Sequence, residues 1–109
     1  MHLNKQLQLN AATFLQVTKD RIAALPKTEI ETWPNYPAIP SFSLNVPPEL
    51  SSLQFTVIKD IFPDGRVRIA IQCFHYSFLG SGHMIVDGFV LLPDGSRCAL
   101  TQEDIWDVT

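Results

Sequence analysis

Apolar positions recur at helical spacing through the first quarter of the chain. Leu7, Ala11, Phe14, Thr18, Ile22 and Leu25 follow one another at intervals of three or four, and Leu15 widens the stripe. Lys5, Gln8, Gln16, Lys19 and Asp20 fall mostly off it. The pattern predicts an amphipathic helix over residues 1–25, capped at its start by Asn4 or Asn10. Pro26 ends it, because the proline ring disfavours helical geometry at Leu25.

Residues 26–52 read as an ordered, Pro-rich extended arm. Pro26, Pro34, Pro37, Pro40, Pro47 and Pro48 exclude a long helix. Within the arm, 28–33 and 41–46 carry Ile30, Trp33, Phe42, Leu44 and Val46, which suit short edge strands.

From residue 53 to residue 100 the pattern is β. Strands are expected over 53–62 and 66–78, separated by Pro63-Asp64-Gly65. A second Pro-Asp-Gly, at 93–95, separates the apolar run 89–92 from 96–100. Proline presets φ and glycine accepts the left-handed position, so each triplet predicts a hairpin. Gly80-Ser81-Gly82 joins the two hairpins, and Asp87-Gly88 predicts a bulge in the third strand. In the tail, 101–109, Thr101 is a good N-cap and Asp104 sits three residues on, in the capping-box position. A short helical turn follows, with Ile105 and Trp106 as its apolar anchors. The fold class is therefore α+β in one domain, 1–109: an N-terminal helix packed on a four- to five-stranded antiparallel sheet, with a short C-terminal helical turn.

Alternation along 66–78 assigns the two faces of the longest strand. Val67, Ile69, Ile71, Cys73, His75 and Ser77 point one way and should meet the N-terminal helix. Arg68, Ala70, Gln72, Phe74, Tyr76 and Phe78 point the other way, on a face that begins polar and turns aromatic. Exposed, its aromatic end would form an apolar patch. The arm, with Trp33 and Tyr36, is one candidate cover, and a partner is the other.

Composition narrows the function. The chain has 109 residues, 46% of them hydrophobic and 17% charged, enough for a core and too few charges for disorder. The net charge is −3 and the basic residues are scattered, which argues against nucleic acid and against a polybasic membrane anchor. The longest strongly apolar run, 89–92, is far too short to span a bilayer, and no signal-peptide h-region is present. Without a secretory signal, Cys73 and Cys98 read as reduced thiols, and the expected location is the cytoplasm.

Few residues carry candidate chemistry. Cys73 and His75 share a strand face, but its aliphatic surroundings predict an inert, buried thiol. His75, His83 and Asp87 offer imidazole and carboxylate groups, without the spacing of a metal site. Gly80-Ser81-Gly82 leads into a β pattern rather than a helix, unlike a phosphate loop. No metal and no cofactor are expected. The best-supported function is binding another protein, as a small inhibitor, immunity or adaptor domain. Its expected surface comprises Tyr36, Ile39, Tyr76 and Phe78, together with the acidic tail residues Glu103, Asp104 and Asp107. A homodimer is also compatible with the sequence. The alternative is a small enzyme or ligand-binding domain with a pocket near His75, His83 and Asp87, although no catalytic motif favours an enzyme.

Overall fold

A computed structural model describes residues 5–33, 44–76 and 82–109, without the side chains of Tyr76, Gly82 and His83. Its elements are α1 (Lys5–Ala23), α2 (Lys27–Glu31), a 3-10 turn (Pro48–Leu50), β1 (Gln54–Ile61), β2 (Val67–Tyr76), β3 (Gly82–Leu91), β4 (Arg97–Ala99) and α3 (Gln102–Asp107). The strands form an antiparallel meander in the order β1-β2-β3-β4. The architecture is the expected α+β one, with α1 across the sheet and α3 at the other end of the chain.

The α1 stripe works as its spacing requires. Ala11, Leu15, Thr18 and Ile22 are buried. They join Val57 from β1, Ile69, Ile71 and Cys73 from β2, and Phe89 and Leu91 from β3 to form the core. Phe14 meets Phe55 edge to face, with ring centroids 5.1 Å apart. The odd-numbered positions of β2 thus face α1, as alternation demands.

Both Pro-Asp-Gly triplets form the predicted turns. Gly65 and Gly95 each adopt φ 91°, a conformation that favours glycine. Asp64 Oδ1 accepts the Arg66 amide at 3.1 Å, and Asp94 Oδ1 accepts the Ser96 amide at 2.9 Å and hydroxyl at 2.6 Å. These bonds hold both carboxyls below their usual range: the Arg66 amide is the main cause at Asp64, and the Ser96 hydroxyl at Asp94.

The structure departs from expectation in the arm and in β3. Residues 28–33 are not a strand: Lys27–Glu31 is a helix that starts behind Pro26, whose φ of −59° suits a helix entry. The β-branched Ile30 suggested a strand, but it is fully buried as the apolar side of one helical turn. Trp33 packs against the α1-side core, so it is not a cover for the aromatic face. Residues 44–47 are irregular rather than part of a strand, while 41–43 lie outside the described residues. In β3, the register with β2 runs unbroken from Val67↔Leu91 to Tyr76↔Gly82, without a bulge at Asp87-Gly88. Glycine is required at 88 for a different reason. A Cβ there would stand 2.0 Å from the Ile69 carbonyl oxygen.

Lys59 is 1% exposed, on the α1 side of β1 opposite Ile69. Its ammonium donates to the carbonyls of Glu31 at 3.0 Å and Trp33 at 2.7 Å. A buried cation thereby closes the C-terminal end of α2, where backbone carbonyls lack helical partners. Burial lowers the Lys59 pKa, and the charge of Glu31 partly opposes the shift.

Candidate functional site

The polar end of the sheet's second face is organised around one arginine. Arg68 is 6% exposed. It points away from α1, as its even position on β2 requires. Its Nε and Nη2 both donate to Asp60 Oδ2, at 3.2 and 2.9 Å, across the β1–β2 ladder where the two residues are paired. Its Nη1 donates to Asp104 Oδ1 at 3.2 Å and to Asp107 Oδ2 at 3.1 Å. The Phe62 ring, in the first hairpin turn, lies 5.0 Å from the Arg68 guanidinium carbon and 4.8 Å from that of Arg66. Burial alone would depress the Arg68 pKa, but the bonds from Asp60, Asp107 and Asp104 outweigh it and raise the value.

The helix that delivers Asp104 and Asp107 forms where the capping signal places it. Thr101 Oγ1 accepts the Asp104 amide at 3.1 Å, and Asp104 Oδ2 accepts the Thr101 amide at 2.9 Å. This leaves Asp104 Oδ1 free for Arg68, so one carboxylate caps the helix and docks it. The Thr101 amide is the main reason that the Asp104 carboxyl lies below its usual range. Burial opposes the shift, and the Thr101 hydroxyl and Arg68 add to it. Gln72 Nε2 donates to the Val108 carbonyl, and Val108 is buried. A hollow of about 250 Å³ remains among Ile58, Asp60, Gln72, Asp107 and Val108. A second, of about 310 Å³, lies among Phe62, Arg66, Thr101, Glu103 and Asp107.

These contacts revise the reading of the tail. Asp104 is buried against Arg68 rather than solvated, and Asp107 reaches the same guanidinium with a side chain 58% exposed. Glu103 is exposed. Trp106 is not an apolar anchor: it is 71% exposed, and the inward positions are Asp104 of α3 and Val108 just beyond it, four residues apart. The missed residue is Arg68. Its signal lay in two patterns: a basic residue on the polar half of a strand face, and carboxylates at the i, i+3 spacing of one helix face.

The remaining candidates are dispersed. The register sets His75 opposite His83 but Asp87 opposite Ile71, four residues away along β3. At about 3.3 Å per residue this is roughly 13 Å, so the ladder does not bring the three together. Asp87 pairs with Lys19 of α1 at 3.2 Å and accepts the Gly88 amide at 2.8 Å. His75 Nδ1 is buried without a hydrogen-bond partner among the described residues. Cys73 is buried, and burial pushes its thiol up to about 11, the opposite of nucleophile activation. Among the described residues, no group of three His, Cys, Asp or Glu side chains is placed to hold a metal ion. No helix among them is long and apolar enough to cross a membrane. Tyr36, Ile39 and Phe78 lie outside the described residues, as does the side chain of Tyr76. Comparison with protein-family models, curated proteins and solved structures found no match.

Proposed function

We propose that the chain is a small cytoplasmic protein-binding domain, of the inhibitor, immunity or adaptor kind, that meets a basic partner with the side carrying α3. The observation that carries this reading is the surplus of carboxylates around Arg68. Asp60, Asp64, Glu103, Asp104 and Asp107 stand against Arg66 and Arg68, a local excess of three negative charges. Such an excess steers a cationic partner and fixes its register more than it adds raw affinity. Trp106 supplies the second ingredient. It projects from α3 at 71% exposure, and it shares an outward helix face with Glu103 at i, i+3 spacing. Tryptophan is enriched among the residues that dominate interface energetics.

The test is affinity co-purification from the native host with mass spectrometry, run in parallel on the parent, Trp106→Ala and Glu103→Lys. Both variants should melt within about 0.5 kcal/mol of the parent, because neither side chain is packed. A basic partner should be recovered with the parent and lost from both variants. Truncation of Trp106 should weaken its binding by about 2 kcal/mol, or roughly 30-fold. A partner retained equally by all three proteins would remove α3 from the binding surface.

A further inference from the structure

We infer that α3 is a detachable strap, held on the sheet through Arg68, which leaves as a unit in acid while the sheet stays folded. The inference concerns the free protein and does not rest on the proposed function.

The attachment joins side-chain hydrogen bonds to a small apolar group, Ile58, Ala70, Val90 and Val108, that is buried on the same side of the sheet. Arg68 Nη1 holds Asp104 and Asp107, and Gln72 holds the Val108 carbonyl. Among the α3 residues and Val108, only Asp104 and Val108 are buried, with Ile105 half-buried. The larger core lies on the opposite face of the sheet, where Leu15, Ile22, Ile69, Ile71 and Leu91 are fully buried against α1 and not α3.

Release leaves little unpaired charge behind. Breaking a buried ion pair is costly chiefly because one partner stays buried alone. Here Arg68 keeps Asp60 through its Nε and Nη2, a contact within the β1–β2 ladder. Asp104 and Asp107 pass into water. The Thr101–Asp104 cap uses Asp104 Oδ2 and the docking bond Oδ1, so one carboxylate serves both and its protonation weakens the cap and the dock together. A helix this short does not hold once released.

Acid acts on the docking bonds. The charged groups facing Arg68 are Asp60 from β1 and Asp104 and Asp107 from α3. Its β3 neighbour in the ladder is the uncharged Val90. Arg66, across the Phe62 ring, is engaged by Asp64, and Glu103 borders the same hollow. The Thr101 amide is the main reason that the Asp104 carboxyl lies below its ordinary value, and Arg68 adds to the shift, so acid weakens the α3 cap together with the docking bond. Docking is therefore favoured above the carboxylate range and lost as pH falls through it.

The experiment is amide hydrogen exchange on the full chain at pH 7 and at pH 2, well below the ordinary aspartate value of 3.8, expressed as protection factors corrected for intrinsic rates. The reporters are the Ile105 and Val108 amides, bonded to the Thr101 and Asp104 carbonyls, against the ladder amides of Ile69 and Ile71. The expected result is a loss of at least about tenfold in α3 protection at the lower pH, with β2 protection unchanged. The double variant Asp104→Asn, Asp107→Asn should show the same α3 loss at pH 7. Three results would overturn the inference: α3 and β2 losing protection together, α3 keeping its protection at pH 2, or α3 unprotected already at pH 7. The parent alone decides if the double variant does not fold.

Discussion

The ammonium of Lys59 donates a 2.7 Å hydrogen bond to the carbonyl of Trp33, joining the middle of β1 to the chain just beyond α2. A lysine pointing inward from an edge strand also discourages pairing with another chain. Lys59→Met keeps the apolar stem but leaves the Glu31 and Trp33 carbonyls without their donor. The expected loss is about 1–3 kcal/mol, the cost of leaving buried acceptors unsatisfied, measured by denaturant titration. The pH dependence carries a sign. A lysine with a lowered pKa binds fewer protons folded than unfolded, so its contribution to stability improves as pH rises from its folded pKa towards 10.5. The alkaline stability profile of the parent should show this improvement relative to Lys59→Met. A constant difference between the two proteins across that range would refute the assignment.

Arg68 and the two carboxylates that α3 brings to it should rank by burial. Arg68→Ala removes the cation shared by Asp60, Asp104 and Asp107, but α3 can carry Asp104 and Asp107 into water, so it should cost about 2–3 kcal/mol. Asp104→Ala loses both the cap and the Arg68 bond, and should cost about 1–2 kcal/mol. Asp107→Ala, from a side chain 58% exposed, should cost about 1 kcal/mol or less. Chemical denaturation at pH 7 measures the series. An Asp107→Ala loss equal to that of Arg68→Ala would show that the cluster does not work as described.

The extent to which this arrangement could be read in advance followed from the range of the interactions. The α1 stripe, the two Pro-Asp-Gly turns and the Thr101 cap are local patterns, and each appears where its spacing places it. The α2 helix was illegible because its end is closed by Lys59, 26 residues from Trp33 in sequence. The same holds for the site. In the sequence Asp104 and Asp107 read as part of an acidic binding surface, because their partner, Arg68, lies 36 and 39 residues away. Asp87-Gly88 resembled a bulge because a glycine in a strand marks either a bulge or a close backbone approach. Only the register decides between them, and it gives the latter.

Gly88 and Gly95 separate two reasons for a glycine. Gly88→Ala drives a methyl into the Ile69 carbonyl, a contact of 2.0 Å with backbone that cannot swing aside. The expected loss is about 3 kcal/mol or more. Gly95→Ala meets nothing within 4 Å, so only its φ of 91° resists, at a cost of about 1–2 kcal/mol. Thermal melts of the two variants should place Gly88→Ala well below Gly95→Ala. The reverse order would mean that the strand relieves the contact by shifting.

Thr18 is fully buried in α1, and its hydroxyl has no hydrogen-bond partner among the described residues. A buried hydroxyl without a partner costs about 1–3 kcal/mol, whereas an apolar group of the same shape incurs no such penalty. Thr18→Val should therefore raise stability by about 1 kcal/mol, since threonine and valine are both β-branched and similar in helix propensity. A urea midpoint that falls in the variant would mean that the hydroxyl is satisfied in solution.

The two thiols should react at different rates. Cys73 is 2% exposed on the α1 side of β2, and its pKa is raised to about 11 by burial. Both effects suppress the thiolate that iodoacetamide requires. Cys98 lies exposed on β4, whose three residues are all open to solvent. At pH 8 Cys98 should alkylate at the rate of an unhindered thiol. Cys73 should follow only as the fold opens, so that its rate rises with denaturant in step with unfolding. The pH dependence has the opposite sign to that of Lys59. The Cys73 thiol binds its proton more tightly folded than unfolded, so its contribution is full below the ordinary thiol pKa and is lost as pH rises through about 11. Peptide-resolved mass spectrometry of a labelling time course measures both rates. Native Cys73 labelled as fast as Cys98 would place the thiol at the surface and reopen a nucleophilic role beside His75.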